Sequence, residues 1–121
     1  MGYTTKFMGS INVKGEDTNL DQFDSLMKRV YKARHGGNIH VYTGCPNLYL
    51  QWCFDRETCK IMWDGREKFY EYVEWMELIC KWACDLDLSL EGKILWRGEH
   101  ISDMGVIIVE QNSVRLEKFS E

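Results

Sequence analysis

Three residues that could move a proton stand close together in the stretch Gly98-Glu-His-Ile-Ser-Asp-Met-Gly105. A histidine between two carboxylates is a plausible proton shuttle, because imidazole titrates near neutrality and carboxylates can orient it. Glu99, His100 and Asp103 are therefore the candidate catalytic set, for a small hydrolase or a nucleotide-handling enzyme. Against them stands the turn-forming composition of the same stretch, which suits a polar connection between strands. The chain has no serine or cysteine nucleophile in a recognisable motif and no glycine-rich phosphate loop.

Metal chemistry has weaker credentials. His35, His40, Cys45, Cys53 and Cys59 fall in one region, but no pair has the Cys-x-x-Cys spacing of a structural zinc site. Cys80 and Cys84 lie four apart on one helical face, where a soft metal could sit. Buried free cysteine behaves as a small hydrophobe. No metal site and no cofactor is expected.

A third chemistry is charge. Lys28, Arg29, Lys32 and Arg34 crowd the last turns of a predicted helix. Cations there complement the negative end of the helix dipole. Nucleic-acid binding is the alternative, but no aromatic is interleaved with them on the polar face. The net charge of −4 disfavours phosphate-driven binding by the whole domain.

The elements that must position these groups follow from periodicity. Thr4 to Val13 alternates, with Phe7, Gly9, Ile11 and Val13 on one face: a half-buried strand. Asn19, with Gln22 to reciprocate, is expected to cap a helix carrying Leu20, Phe23, Leu26, Met27, Val30 and Tyr31, which ends at His35-Gly36-Gly37. A loop follows, with a short strand at Ile39-His-Val-Tyr42. Leu48 to Phe54 and Cys59 to Trp63 form a hairpin with Phe54 facing Cys59 and Trp52 facing Ile61. Leu88 to Arg97 is a strand with Leu90, Ile94 and Trp96 on one face. Gly105 to Glu110 and Ser113 to Phe119 form a last hairpin, whose register the pattern leaves open.

The longest helical pattern runs from Asp64 to Asp85, with Asp64 and Glu67 in a capping-box relation. Its apolar sector spans ~200° where a core-facing stripe needs only ~100°. Trp75, Leu78 and Trp82 make up the excess. Either a neighbouring element covers these rings or they form a ridge for a partner, since Trp is enriched at interface hot spots. In the second case Glu71 and Glu74 would be the polar rim.

The element order is strand, helix, strand, strand, helix, strand, strand, strand. It predicts a single α+β domain over residues 1–121: two helices on a mostly antiparallel sheet of five or six strands, with a ferredoxin-like βαββαβ core and a C-terminal hairpin. Such a sheet leaves a second face, where Tyr49, Cys53, Met62, Leu95 and one set from Ile107/Val109 are expected. A partner, a second copy of the chain, or a terminal segment would cover it.

The bulk numbers agree with this class. A chain of 121 residues supports one core, not two. Five Trp, six Tyr and five Phe supply ample buried area for it. The five cysteines, with no secretory leader and no membrane-spanning run, point to a reducing, cytoplasmic setting with free thiols. Met1-Gly2 with Thr5-Lys6 has the outline of a myristoylation signal but reads better as the approach to the first strand.

Met1-Gly-Tyr-Thr-Thr with Phe7 and Gly9, Leu50-Gln-Trp52, Trp63-Asp-Gly with Glu67-Lys-Phe-Tyr70, and Glu74-Trp-Met76 together resemble a family of small uncharacterised bacterial and phage proteins. Leu90, Gly92, Ile94, Gly98-Glu99, Asp103, Val109 and Asn112 continue the likeness over most of the chain. The family carries a longer, proline-rich middle region where Gly36 to Leu48 is short here. The resemblance implies no activity. It implies an accessory or mobile-element context, in which many products bind host proteins. The leading expectation is thus a non-enzymatic protein-binding module, with inhibition of a host defence complex as one form and a host or phage protein as partner.

Overall fold

The structure is a computed structural model and describes residues 4–36, 50–66, 69–100 and 102–119, with the side chains of 33–36 left aside. The elements in chain order are β1 (Lys6–Lys14), α1 (Asp17–Gly36), β2 (Trp52–Asp55), β3 (Lys60–Trp63), α2 (Tyr72–Asp85), β4 (Ser89–Arg97), β5 (Met104–Glu110) and β6 (Ser113–Lys118). The six strands form one open sheet in the order β2-β3-β1-β4-β5-β6, and every neighbouring pair is antiparallel. Two helices on such a sheet make an α+β sandwich.

Strand alternation decides the layers. Ile11 and Val13 of β1, Leu90, Ile94 and Trp96 of β4, and Ile107 and Val109 of β5 point to the helices. Leu20, Phe23, Met27 and Val30 of α1 meet them, with Met76, Ile79, Cys80 and Ala83 of α2. β1 sits centrally because it can pair on both sides. Its close approach to β4 depends on Gly9, whose φ is +117° and where a Cβ would fall 2.7 Å from the Lys93 carbonyl oxygen.

Four expectations need correcting. α2 begins at Tyr72, not at Asp64. The Asp64 carboxylate accepts a hydrogen bond from the Tyr31 hydroxyl at 2.8 Å and another from the Arg66 backbone N–H at 2.9 Å. It thereby closes a local turn, and Gly65 turns left-handed beside it. The helix is entered at Glu71, whose carbonyl accepts from the Trp75 N–H. Phe69 stays buried, but as part of an aromatic cluster with Phe7, Trp52 and Tyr72, not as a helical residue. The Trp52 indole N–H donates to the Tyr72 carbonyl at 2.9 Å and pins the helix entrance to β2.

The second correction is smaller. α1 starts at Asp17, with Leu20 N–H donating to the Glu16 carbonyl, so Asn19 lies in its first turn. The third concerns the β2–β3 hairpin, where Trp52 faces Trp63 and Phe54 faces Ile61. That is a slip of two residues from the expected pairing, and it leaves every side chain on the expected face. Asp55 sets it: the carboxylate accepts from Glu57 N–H and the Thr58 hydroxyl, which draws Arg56 to Cys59 into the turn. The fourth concerns the outer face. Ile107 and Val109 are core, so β5 presents Val106 and Ile108 there instead.

The last hairpin has a definite register, Val109 to Val114 and Ile107 to Leu116. Gln111 and Asn112 both have positive φ, at 50° and 61°, the two-residue turn whose twist matches its strands. The short strand expected at Ile39 to Tyr42, the residue Tyr49 and the capping partner Glu67 lie outside the described residues. Among the described residues no helix is long and apolar enough to cross a membrane.

Candidate functional site

The α2 ridge does not hold together as a docking surface. Trp75 has no solvent exposure and belongs to the core cluster, so its ring cannot meet a partner. Leu78 and Trp82 are half-buried and pack against that core. Trp82 lies in a seam between the helices, lining a hollow of about 320 Å³ with Gln22, Leu26, Arg29, Asp85 and Leu86. The surplus width of the apolar stripe is thus used inside the molecule. Glu71 and Glu74 are exposed, as a polar rim would be.

In the 98–105 loop the two carboxylates have different partners. Glu99 uses its carboxylate to accept the Thr4 backbone N–H at 2.8 Å. Asp103 faces the Lys118 ammonium at 3.5 Å, across the loop. His100 is exposed, and its carbonyl accepts the Asp103 N–H, while Gly98 N–H donates to the Asp103 carbonyl at 2.7 Å. These bonds make a tight strand connection. They commit both carboxylates to separate partners and do not aim them at a shared substrate position.

Of the basic residues, Lys28, Arg29 and Lys32 are exposed, and Lys28 is paired with Asp24 one turn away at 3.1 Å. Arg34 and His35 lie where only the backbone is described, and His40 and Cys45 lie outside the described residues. Cys53 is half-buried, with its thiol donating to the Met62 carbonyl at 3.3 Å. Burial pushes that thiol up, with Asp64 and Asp55 adding to the shift. Cys59 contacts the Arg56 guanidinium, which is itself held by Asp21 and Asp17. Cys80 is sealed in the core, while Cys84 is exposed and receives the Asn112 amide.

The surface with the clearest site character lies on the outer face of the sheet. Met8, Leu95 and Phe119 are 73%, 46% and 45% exposed. Met8 and Leu95 are direct cross-strand partners, and the Phe119 N–H donates to the Met104 carbonyl, extending the β5–β6 pairing by one residue. Together with Met104 they surround a hollow of about 390 Å³ whose lining is mainly apolar. Lys6 and Arg97 stand at its rim and are themselves cross-strand partners. Val106 and Ile108, next along β5 on that face, are buried and add no exposed apolar ground. The alternation of β1 and β4 already implied an outer row, and Leu95 was expected in it. Met8 and Phe119 were missed because each is a single apolar residue on an otherwise polar row, Met8 between Lys6 and Ser10 and Phe119 after Arg115 and Glu117, and carries no periodic signal.

No protein-family model matches the chain, and neither a curated protein nor a solved structure matches it.

Proposed function

We propose that the chain is a non-enzymatic protein-binding module, and that its contact surface is the outer sheet face around Met8, Leu95 and Phe119. One observation carries this reading. Five large hydrophobic side chains are strongly exposed among the described residues, and three of them gather on this one face around a single hollow. Contiguous apolar ground on a soluble domain marks an interaction surface far more often than scattered residues do. The engagement of Glu99 by the Thr4 N–H and of Asp103 by Lys118 supports binding over catalysis.

The strand order β2-β3-β1-β4 with antiparallel neighbours supports reading the first six elements as a ferredoxin-like core, to which β5 and β6 add a hairpin. Free thiols support a reducing, cytoplasmic setting. The narrower form, a phage or mobile-element product that inhibits a host defence complex, rests on the sequence resemblance alone.

The test is site-specific photo-cross-linking in the cells that make the protein. A photoactivatable residue at Leu95 should give a discrete protein adduct, and one at Glu77 on the opposite layer should not. Equal adduct patterns at the two positions, or none at Leu95, would end this reading.

A further inference from the structure

We propose that the hollow beside Met8 and Leu95 receives a bulky apolar side chain from an acidic segment of a partner protein, with Lys6 and Arg97 receiving the flanking carboxylates. This rests on the docking surface just described and adds the chemistry of its occupant.

Lys6 and Arg97 face each other directly across β1 and β4. Like charges in that position destabilise a sheet. Both are exposed, and among the described residues neither has an acidic side chain within ion-pair distance. Glu99 shares a second hollow with them, outside ion-pair distance of either, and accepts the Thr4 N–H through Oε1. Lys93, four residues from Arg97 along β4, adds a third exposed cation on the same face, with Glu91 exposed beyond it. The neighbouring cations are treated differently: Arg115 is paired with Glu117 at 2.9 Å and Lys118 with Asp103. Two cations with no ion-pair partner among the described residues therefore stand side by side at the mouth of the apolar hollow, on a chain that is acidic overall.

An apolar cup with cations on its rim selects an apolar body carrying negative charge. The volume of about 390 Å³ falls near the lower end of ordinary ligand pockets, enough for one large aromatic or aliphatic side chain. A second copy of this chain meets the requirement poorly. Stacking two such faces about a dyad along the strands sets Lys6 and Arg97 against their own counterparts. A dyad across the strands at the Met8–Leu95 row sets Arg97 against Lys93 of the other copy, again cation on cation.

The probe is a blocked, fluorescently labelled peptide with one tryptophan flanked by glutamates on both sides, titrated onto the purified full chain by anisotropy. Saturable binding is expected. It should weaken about tenfold in Lys6→Gln/Arg97→Gln and in a peptide with glutamine for glutamate, the loss of two exposed charge pairs. It should also weaken with added salt, which screens exposed charges beyond about 10 Å at 0.1 M. The double variant should melt no lower than the parent, since a like-charge opposition has been removed. Absent peptide binding, or binding indifferent to both charge changes, overturns the proposal. The Leu95 cross-link separates the two levels. An adduct that persists unchanged in Lys6→Gln/Arg97→Gln keeps the docking surface and removes the acidic partner, whereas no adduct removes both. An adduct of twice the chain mass, or one sensitive to nuclease, assigns the face to a second copy or to nucleic acid and also overturns it.

Discussion

Residue by residue, the two tryptophans of α2 have parted company. Trp75 is inside and Trp82 is at a seam, although they lie seven positions apart on one flank. Trp75→Ala should therefore cost ~3–5 kcal/mol, the range for emptying a core aromatic site. Trp82→Ala should cost about 1–2 kcal/mol. Urea unfolding of the single variants checks this, and similar losses for the two would contradict the burial assignment. Cys80 offers a second residue-level check. Burial, with Cys84 and Glu77 adding, pushes its thiol from 9.0 up to about 12. Between those values the folded chain keeps a proton that the unfolded chain has released. The stability tied to that proton is complete below about pH 9 and is lost as the pH rises toward about 12. Against Cys80→Ala, which lacks the ionisation, the parent's stability advantage should shrink over that window in denaturant titrations. In the native state a thiol reagent should modify Cys84 and spare Cys80.

Among the elements, parity was legible in the sequence and phase was not. Leu50, Trp52, Phe54, Ile61 and Trp63 announce which face of the β2–β3 hairpin is inward. A slip of two residues preserves that face, so only the Asp55 turn chemistry could choose between pairings. Helix α2 was legible in type and buried stripe, yet its start was displaced because Asp64, an apparent cap, serves a turn and the Tyr31 hydroxyl instead. The final hairpin was undecided on hydrophobic pattern because Val114 and Leu116 suit more than one partner. Asn112 decides it. Its side-chain amide donates to the Leu88 carbonyl at 2.8 Å, its oxygen accepts the Leu90 N–H at 2.5 Å, and its φ of 61° is one asparagine tolerates. Asn112→Gly keeps the backbone freedom and removes the bonds, so it should cost ~1–3 kcal/mol by leaving those strand groups unsatisfied. Asn112→Ala should cost more, because alanine resists positive φ. Thermal melts of the pair would separate the two contributions, and an alanine variant no worse than the glycine one would refute the role of conformation.

For the molecule as a whole, the candidate surface was the hardest part to foresee. Excess grease on a helix is visible in a sequence, but whether a domain absorbs it depends on packing. Here the helical layer closed over Trp75, and the exposed apolar ground moved to the opposite side, where it is assembled from three strands and the residue after the last one. No contiguous stretch carries that signal, since Met8, Leu95 and Phe119 come from far-apart positions. Charge is mixed on both layers: the helices present Glu71, Glu74 and Glu77 but also Lys28, Arg29, Lys32 and Lys81 to solvent, and Lys6 and Arg97 stand beside the hollow of the sheet. On the proposed reading an acidic partner is therefore oriented locally, by Lys6 and Arg97 at the hollow.

The sheet also ends somewhere. β6 is its terminal strand in the observed order, and among the described residues no further strand lies beyond it. A bare rim of backbone donors and acceptors is a template on which identical chains can polymerise. This rim is defended by Arg115, Glu117 and Lys118, which would have to shed their hydration before another chain could align. Replacing Arg115 and Glu117 by valine would leave the monomer's fold intact and convert its boundary into a seed for fibrils.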